Sequence, residues 1–162
     1  MRTIPALAVL ALLSGTAPAL AQAPAANDAE FVAKAMTGNM FEVEEAKLAV
    51  QRATDPRLKT FAQHMITDHA DALKKLNDAA STMNVTPATA LDKPHQAMLD
   101  NLKTFNGADF DKIYKTDQVA SHAETVALLS DYDQTGKNSA LKSWAKQSLP
   151  VVKGHRNNIN AM

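Results

Sequence analysis

The sequence contains no cysteine, which excludes a thiol nucleophile, a thiolate metal site and a disulfide bond. Glycine is scarce, with five residues in 162, and there is no Gly-rich phosphate loop. Basic and acidic residues balance at 17 each, so no positive excess exists to follow a nucleic-acid backbone or anionic lipid. No Ser-His-Asp pattern stands out, although residues distant in sequence can form one, and whether the protein is an enzyme stays open.

Long apolar runs are also missing, apart from one at the N terminus. Residues 4–13 form this run, Arg2 precedes it, and an Ala-Leu-Ala pattern ending at Ala21 follows it. A membrane anchor is disfavoured, because a spanning helix needs about 20 apolar residues and glycine and proline interrupt this segment. We therefore predict a signal peptide over residues 1–21 that is cleaved after Ala21.

The form of this signal is typical of export to a Gram-negative periplasm, where a cysteine-free chain avoids oxidative cross-linking. Residues 22–27 are expected to form a flexible leader, and residues 28–162 a single helical domain. No later segment is long enough to span a membrane. Association with the outer membrane, an envelope protein partner and the oligomeric state stay open.

Helical periodicity dominates the rest of the chain, and no segment shows the alternation of a strand. Pro56 suits the first turn of a helix capped by Asp55, and Asn106-Gly107 is a turn dipeptide. Pro150 falls inside the last helix, where we expect a kink that either opens the bundle or only bends the helix. The predicted helices span residues 28–53, 56–83, 94–105, 108–134 and 139–160.

These elements predict an all-α fold, a four-helix bundle in which one connection is long. That connection covers residues 84–107 and carries the short helix, which is the pattern of ferritin-like bundles. Its extended part and its helix can together return along a helix of about 40 Å. A bundle with short loops throughout is the alternative topology.

Each long helix interrupts its apolar stripe with a residue that can bind a metal ion or a proton. Counted at about 1.5 Å per residue, these residues lie at a similar height near the middle of the bundle, in either topology. Polar groups that converge from facing helices are how bundles build metal sites. The predicted ligands are Glu42, His69, His122 and His155.

Imidazole and carboxylate ligands suit a transition metal such as Fe, Mn, Cu or Zn. The outer residues expected to orient the ligands are Glu45, Asp68, Tyr114 and Gln118. His64 and His95 are expected to face solvent. Metal handling or oxidative-stress defence is the function that this site predicts. The alternative is a metal-free structural or interaction protein of the cell envelope, in which the buried polar layer determines helix pairing.

Several segments carry a family resemblance: "FEVEEAKLA", "FAQHMITDHADA", "LDKPHQAMLD", "ADFDKIY", "QVASH" and "LPVVKGH". Over residues 30–155 the chain resembles DUF4142, a bacterial ferritin-like domain of unknown function found in exported or outer-membrane proteins. The resemblance implies a ferritin-like bundle and no established reaction. Its marked polar positions fall on Glu42, Asp68, His69, His95, Gln96, Gln118, His122 and His155.

The chain departs from di-iron ferritins, which supply a Glu-x-x-His motif from two helices. This sequence contains no such motif, and carboxylates are scarce in the polar layer. We therefore expect one metal ion or none, rather than a carboxylate-bridged di-iron centre.

Overall fold

The structure, a computed structural model, describes residues 26–83 and 85–162. The described residues form five α-helices and no strand, which confirms the all-α prediction. The predicted signal peptide, and the predicted leader up to residue 25, lie outside the described residues. The helices are α1 Ala26–Arg52, α2 Pro56–Ala80, α3 Lys93–Leu102, α4 Gly107–Thr135 and α5 Ser139–Asn160.

The predicted boundaries are close at most ends, and α2 and α3 each finish about one turn early. α2 ends at Ala80, where the Ser81 hydroxyl donates to the Asp78 carbonyl oxygen at 2.7 Å. The Thr104 hydroxyl donates in the same way to the Asn101 carbonyl oxygen just after α3. Short polar side chains bonded to the backbone compete with continued helix, which explains both early ends.

The helix starts follow from side-chain caps. The carboxylate of Asp55 accepts the Arg57 N–H at the start of α2, and the side chain of Asn138 accepts two backbone N–H groups at the start of α5. Asp92 caps α3 by accepting from the His95 N–H. Each such cap contributes roughly 1 kcal/mol to the stability of its helix. Local sequence therefore determines where these helices begin.

The four long helices pack in a cycle, because α1 contacts α2 and α4, and α5 contacts the same two helices. α3 lies against α1 and α4. The backbone N–H groups of Thr54 and Asp55 both donate to the Asp111 carboxylate at 2.9 Å, which places the start of α4 beside the α1–α2 turn. The Tyr132 hydroxyl donates to Asp28 at the other end. The long connection therefore returns the chain to the end from which α2 started.

Two apolar cores fill the two ends of the bundle. One surrounds Phe31, Leu129 and Trp144, and the other surrounds Phe61 and Phe110. Between the two cores, α1, α2 and α4 each carry buried polar residues, and α5 contributes the half-buried His155. The fold thus holds a polar layer between two close-packed apolar regions, which exclude water from it on both sides.

Two further predictions concern the helices themselves. α5 continues as one helix through Pro150, from Ser139 to Asn160, and the kink expected at this residue stays a prediction. Within the described ranges, none of the helices combines the length and the apolar character that crossing a membrane requires.

Candidate metal centre

Three histidines from three helices meet in the polar layer. His69 belongs to α2, His122 to α4 and His155 to α5. Their ring centroids lie 5.4 to 5.8 Å apart. Each ring can offer one nitrogen such that the three nitrogens all lie within 4.8 Å of one another. The tertiary structure thus brings together three of the four predicted ligands as a group.

The buried ring of His69 is oriented by Asn39 from α1. The Asn39 amide nitrogen donates to the Ala35 carbonyl oxygen at 2.7 Å, so the amide oxygen Oδ1 is left to accept. His69 Nδ1 lies 2.9 Å from that oxygen. The proton of the neutral ring therefore resides on Nδ1, and Nε2 keeps a lone pair.

The other two rings are held in the same manner. His122 Nδ1 lies 2.7 Å from the Gln118 carbonyl oxygen, one helical turn earlier in α4. His155 Nε2 lies 2.9 Å from Asp68 Oδ2, which comes from α2. Both partners only accept, so each of these nitrogens donates. The lone pairs of the neutral rings are left on His122 Nε2 and His155 Nδ1.

The nitrogens with free lone pairs are the ones for which the structure provides no partner. Among the described residues, His69 Nε2, His122 Nε2 and His155 Nδ1 are buried without a hydrogen bond. Buried polar atoms are usually hydrogen-bonded, because an unmet partner costs roughly 1 to 3 kcal/mol. Three such acceptors in one place can bind a single cation. Ligating histidines typically use one nitrogen for the metal and donate from the other to an outer acceptor.

Electrostatics keep two of these rings in the ligating form. Burial lowers the pKa of His69 well below its usual value, and the neighbouring histidines lower it further. Burial also lowers the pKa of His122 to about 4, against the opposing effect of its bond to the Gln118 carbonyl. Both rings are therefore neutral at pH 7, which is the form that binds a metal ion.

Glu42 lies directly beside the triad. Its Oε2 atom lies 3.8 Å from His69 Nε2 and accepts no hydrogen bond from a described residue, and its Oε1 atom lies 3.5 Å from His122 Nδ1. Oε1 accepts a hydrogen bond from the Ser121 hydroxyl at 2.5 Å. Burial raises the pKa of Glu42 to about 8, and the Ser121 bond opposes this rise. The carboxyl group therefore touches two of the three histidines, and a bound cation would favour its ionised form.

The predicted outer residues occupy different positions. Asp68 holds His155 by its side chain, whereas Gln118 holds His122 by its backbone carbonyl. The Gln118 amide donates instead to Glu45 Oε2 at 3.0 Å. The Tyr114 hydroxyl is buried and, in the part of the chain that the structure describes, bonds to no ligand of the triad. Glu45 is thus bonded to the Gln118 amide rather than to a histidine.

Residues outside the prediction also matter at this site. Asn39, which orients His69, lies on the inward face of α1 one turn before Glu42, so helical phase alone was sufficient to find it. Ser121 lies three residues after Gln118 on the buried stripe of α4, so helical phase could have found it as well.

The expectation that His95 faces solvent is wrong. Its ring packs 4.8 Å from that of Phe41, because α3 lies against α1, and its side chain is only 22% exposed. Asp92 accepts from His95 Nδ1 at 2.7 Å. Gln96 donates to Asp100 on the exposed side of the same helix. His64 is exposed, as predicted.

A cleft of about 390 Å³ between α2 and α5 reaches two members of the triad. His69 and His155 line it, together with residues that include Trp144, Gln147 and Val151. The triad therefore lies between the two cores, and the cleft borders two of its three rings.

The chain is similar to a known protein family over nearly its whole length. A family model described as a domain of unknown function (DUF4142) matches residues 14–162. No curated protein matches the chain.

Two solved structures share its fold. A crystal structure of a DUF305 fragment from Deinococcus radiodurans matches with a TM-score of 0.75 at 11% identity, over 86% of this chain and 97% of that one. CopM in its Cu(II)-bound form matches with a TM-score of 0.70 at 18% identity, over 83% of this chain and 93% of that one. At such low identity these similarities establish the fold alone.

Proposed function

Since the chain belongs to the family described as a domain of unknown function (DUF4142), its function must be inferred from the site. We propose that it is an exported, ferritin-like helical bundle that binds one transition-metal ion through His69, His122 and His155. The observation that carries this proposal is the convergence of three buried imidazole nitrogens that have no hydrogen-bond partner among the described residues, each on a ring whose other nitrogen is hydrogen-bonded.

The donor set narrows the choice of metal. Neutral imidazole suits copper, zinc and iron, and binding strength generally rises toward copper among divalent ions. Glu42 adds a carboxylate that would balance part of the cation's charge, or serve as a fourth ligand after a small shift. The fold similarity to CopM in its Cu(II)-bound form makes copper the first metal to test, followed by zinc, iron and manganese.

Metal handling in the periplasm is the role that this arrangement supports. Three protein ligands leave a coordination position for water or another small ligand, and the cleft beside His69 and His155 provides a route for exchange. The scarcity of carboxylates around the triad favours one metal ion over a carboxylate-bridged pair. Oxidative-stress defence is compatible with a bound redox-active metal that small solutes can reach.

The direct test is metal analysis of the chain purified without a polyhistidine tag, combined with thermal unfolding in the presence of Cu²⁺, Zn²⁺, Fe²⁺ and Mn²⁺. We expect one equivalent of one of these metals per chain and a higher melting temperature, since a ligand that binds only the folded state stabilises it. A metal-free protein that none of the four ions stabilises would instead support a structural role in the cell envelope.

Asp68 provides a test of how the site is oriented. Replacing Asp68 by alanine removes the acceptor that holds His155 Nε2–H and thereby leaves the ring free to turn. We expect the affinity for Cu²⁺ or Zn²⁺ to fall about 10- to 100-fold, as is typical when an outer partner of a ligating histidine is lost. Competition with a chromophoric chelator measures this change.

The matched control for Asp68→Ala is Asp71→Ala in the same helix. Asp71 is also exposed and forms an ion pair with Lys75 at 2.6 Å, without a contact to the three histidines among the described residues. The Asp71→Ala substitution removes the same charge near the cleft but leaves the acceptor of His155 in place. It should therefore lower the metal affinity much less than Asp68→Ala does. Equal losses in both variants would mean that only charge near the cleft, and not the orientation of His155, is important.

A further inference from the structure

A second cluster of buried polar atoms lies about one helical turn from the histidine triad, and it consists of oxygen atoms. It is formed by Glu45 from α1 and by three residues of α4. Glu45, Tyr114 and Gln118 are each 0% exposed. Among the described residues, four buried oxygens here have no hydrogen-bond partner: Glu45 Oε1, Asp117 Oδ2, Gln118 Oε1 and Tyr114 OH.

The positions of these oxygens relative to one another follow from the contacts around Glu45. The Gln118 amide nitrogen donates to Glu45 Oε2 at 3.0 Å, so the two side chains are adjacent. Asp117 and Gln118 lie three and four residues after Tyr114 and so share one face of α4 with it, and the charge of Asp117 adds to the effect of burial in raising the pKa of Glu45. Burial raises the pKa of Tyr114 well above its usual value, and the charges of Glu42 and Glu45 raise it further.

The charge balance of this cluster is unfavourable as it stands. The Glu45 and Asp117 carboxyl groups both belong to this cluster, and no lysine or arginine among the described residues forms an ion pair with either. Burial, together with the charge of Asp117, raises the pKa of Glu45 to about 9. Three of the four unpartnered oxygens can only accept when the carboxyl groups are ionised, and Tyr114 provides the single donor. A proton or a cation must therefore compensate the negative charge.

We propose that Glu45, Asp117, Gln118 and Tyr114 form a second cation site, which takes a hard divalent ion of the Mg²⁺, Ca²⁺ or Mn²⁺ class. Carboxylate and amide oxygens are the donors that these ions prefer, whereas imidazole nitrogens favour copper and zinc. Asp117 is only half-buried, so the ion can enter from its side of α4. The two neighbouring sites would then select different metals by donor type.

The test is a titration of the metal-free full chain with Mn²⁺, in which electron paramagnetic resonance measures the concentration of the free ion. We expect the wild type to take up one equivalent of Mn²⁺, and Glu45→Gln, which keeps the shape of the side chain, to weaken this binding by at least about tenfold. The matched control is Glu44→Gln, because Glu44 is the neighbouring carboxylate and pairs only with Lys47 at the surface. It should bind Mn²⁺ as the wild type does.

Two variants distinguish binding at the histidine triad from binding at this site. His122→Leu should retain the Mn²⁺ equivalent, whereas Glu45→Gln should retain the Cu²⁺ or Zn²⁺ equivalent. Circular dichroism verifies that each variant is folded, and Asp117→Asn is the second variant if Glu45→Gln is not. The proposal is overturned if the wild type takes up no Mn²⁺, which would mean that a shared proton alone balances the carboxyl groups. It is also overturned if Mn²⁺ uptake is lost in His122→Leu and kept in Glu45→Gln.

Discussion

Replacing His122 by leucine is expected to abolish the stabilisation of the protein by added Cu²⁺ or Zn²⁺, and to leave the metal-free protein at least as stable as before. The metal effect disappears because His122 Nε2 is one of three converging ligand atoms. For the wild type, free metal at 100 times its Kd should contribute about 2.7 kcal/mol to the free energy of unfolding. The melting temperature should rise by several degrees, at about 2 to 4 °C per kcal/mol for a chain of this size.

The stability of the metal-free protein distinguishes a metal site from a structural polar network. An unpartnered buried nitrogen costs roughly 1 to 3 kcal/mol, and leucine removes it while filling similar space. The control is the same substitution at His64, which is exposed on α2 and should leave the metal effect intact. If His122→Leu keeps the metal effect, the triad is not the binding site. If it loses several kcal/mol without metal, His122 serves a structural polar network.

The metal-free protein should also lose stability as the pH rises from 7 to 9. Glu42 and Glu45 have pKa values raised by burial to about 8 and about 9, so they keep their protons in the folded state where the unfolded chain has lost them. A group whose pKa is raised on folding stabilises at low pH and loses this contribution as the pH passes its folded value. Each retained proton gives a slope of about 1.4 kcal/mol per pH unit.

The histidines do not mask this effect. The lowered pKa values of His69 and His122 affect stability below the usual imidazole range, and above pH 7 both rings are neutral in the folded and the unfolded state. Urea unfolding in the presence of a chelator, at pH 7, 8 and 9, measures the slope. Glu42→Gln should make it shallower, whereas Glu44→Gln should leave it unchanged, because Glu44 is half-exposed and paired with Lys47. A stability that rises from pH 7 to 9 would contradict the prediction.

Bound metal should reduce the same slope. A cation beside Glu42 favours its ionised carboxylate, so the folded state no longer needs to retain that proton. The experiment therefore connects the polar layer to the metal proposal by an equilibrium measurement that does not depend on knowing a reaction.

The sequence by itself determined the helices and which of their residues point inward. Caps such as Asp55 and Asn138, and the periodicity of apolar residues, are local properties, and they predicted helix starts to within two residues. Helical phase selected His69 over His64, because the spacing of residues along one helix shows which of them share its apolar stripe, and His69 shares that stripe whereas His64 does not. The four inward polar positions could be predicted from the sequence for the same reason.

Only the tertiary structure decided how those residues meet. The bond from His155 to Asp68 joins residues 87 positions apart, and it depends on how α2 and α5 are rotated against each other. The same holds for Asn39 and His69, and for the burial of His95 against Phe41 when α3 folds onto α1. For His69 and His155, the nitrogen that remains free is determined by these contacts between helices, whereas for His122 it is determined by the Gln118 carbonyl within α4. Periodicity carries no information about them, because it describes one helix at a time.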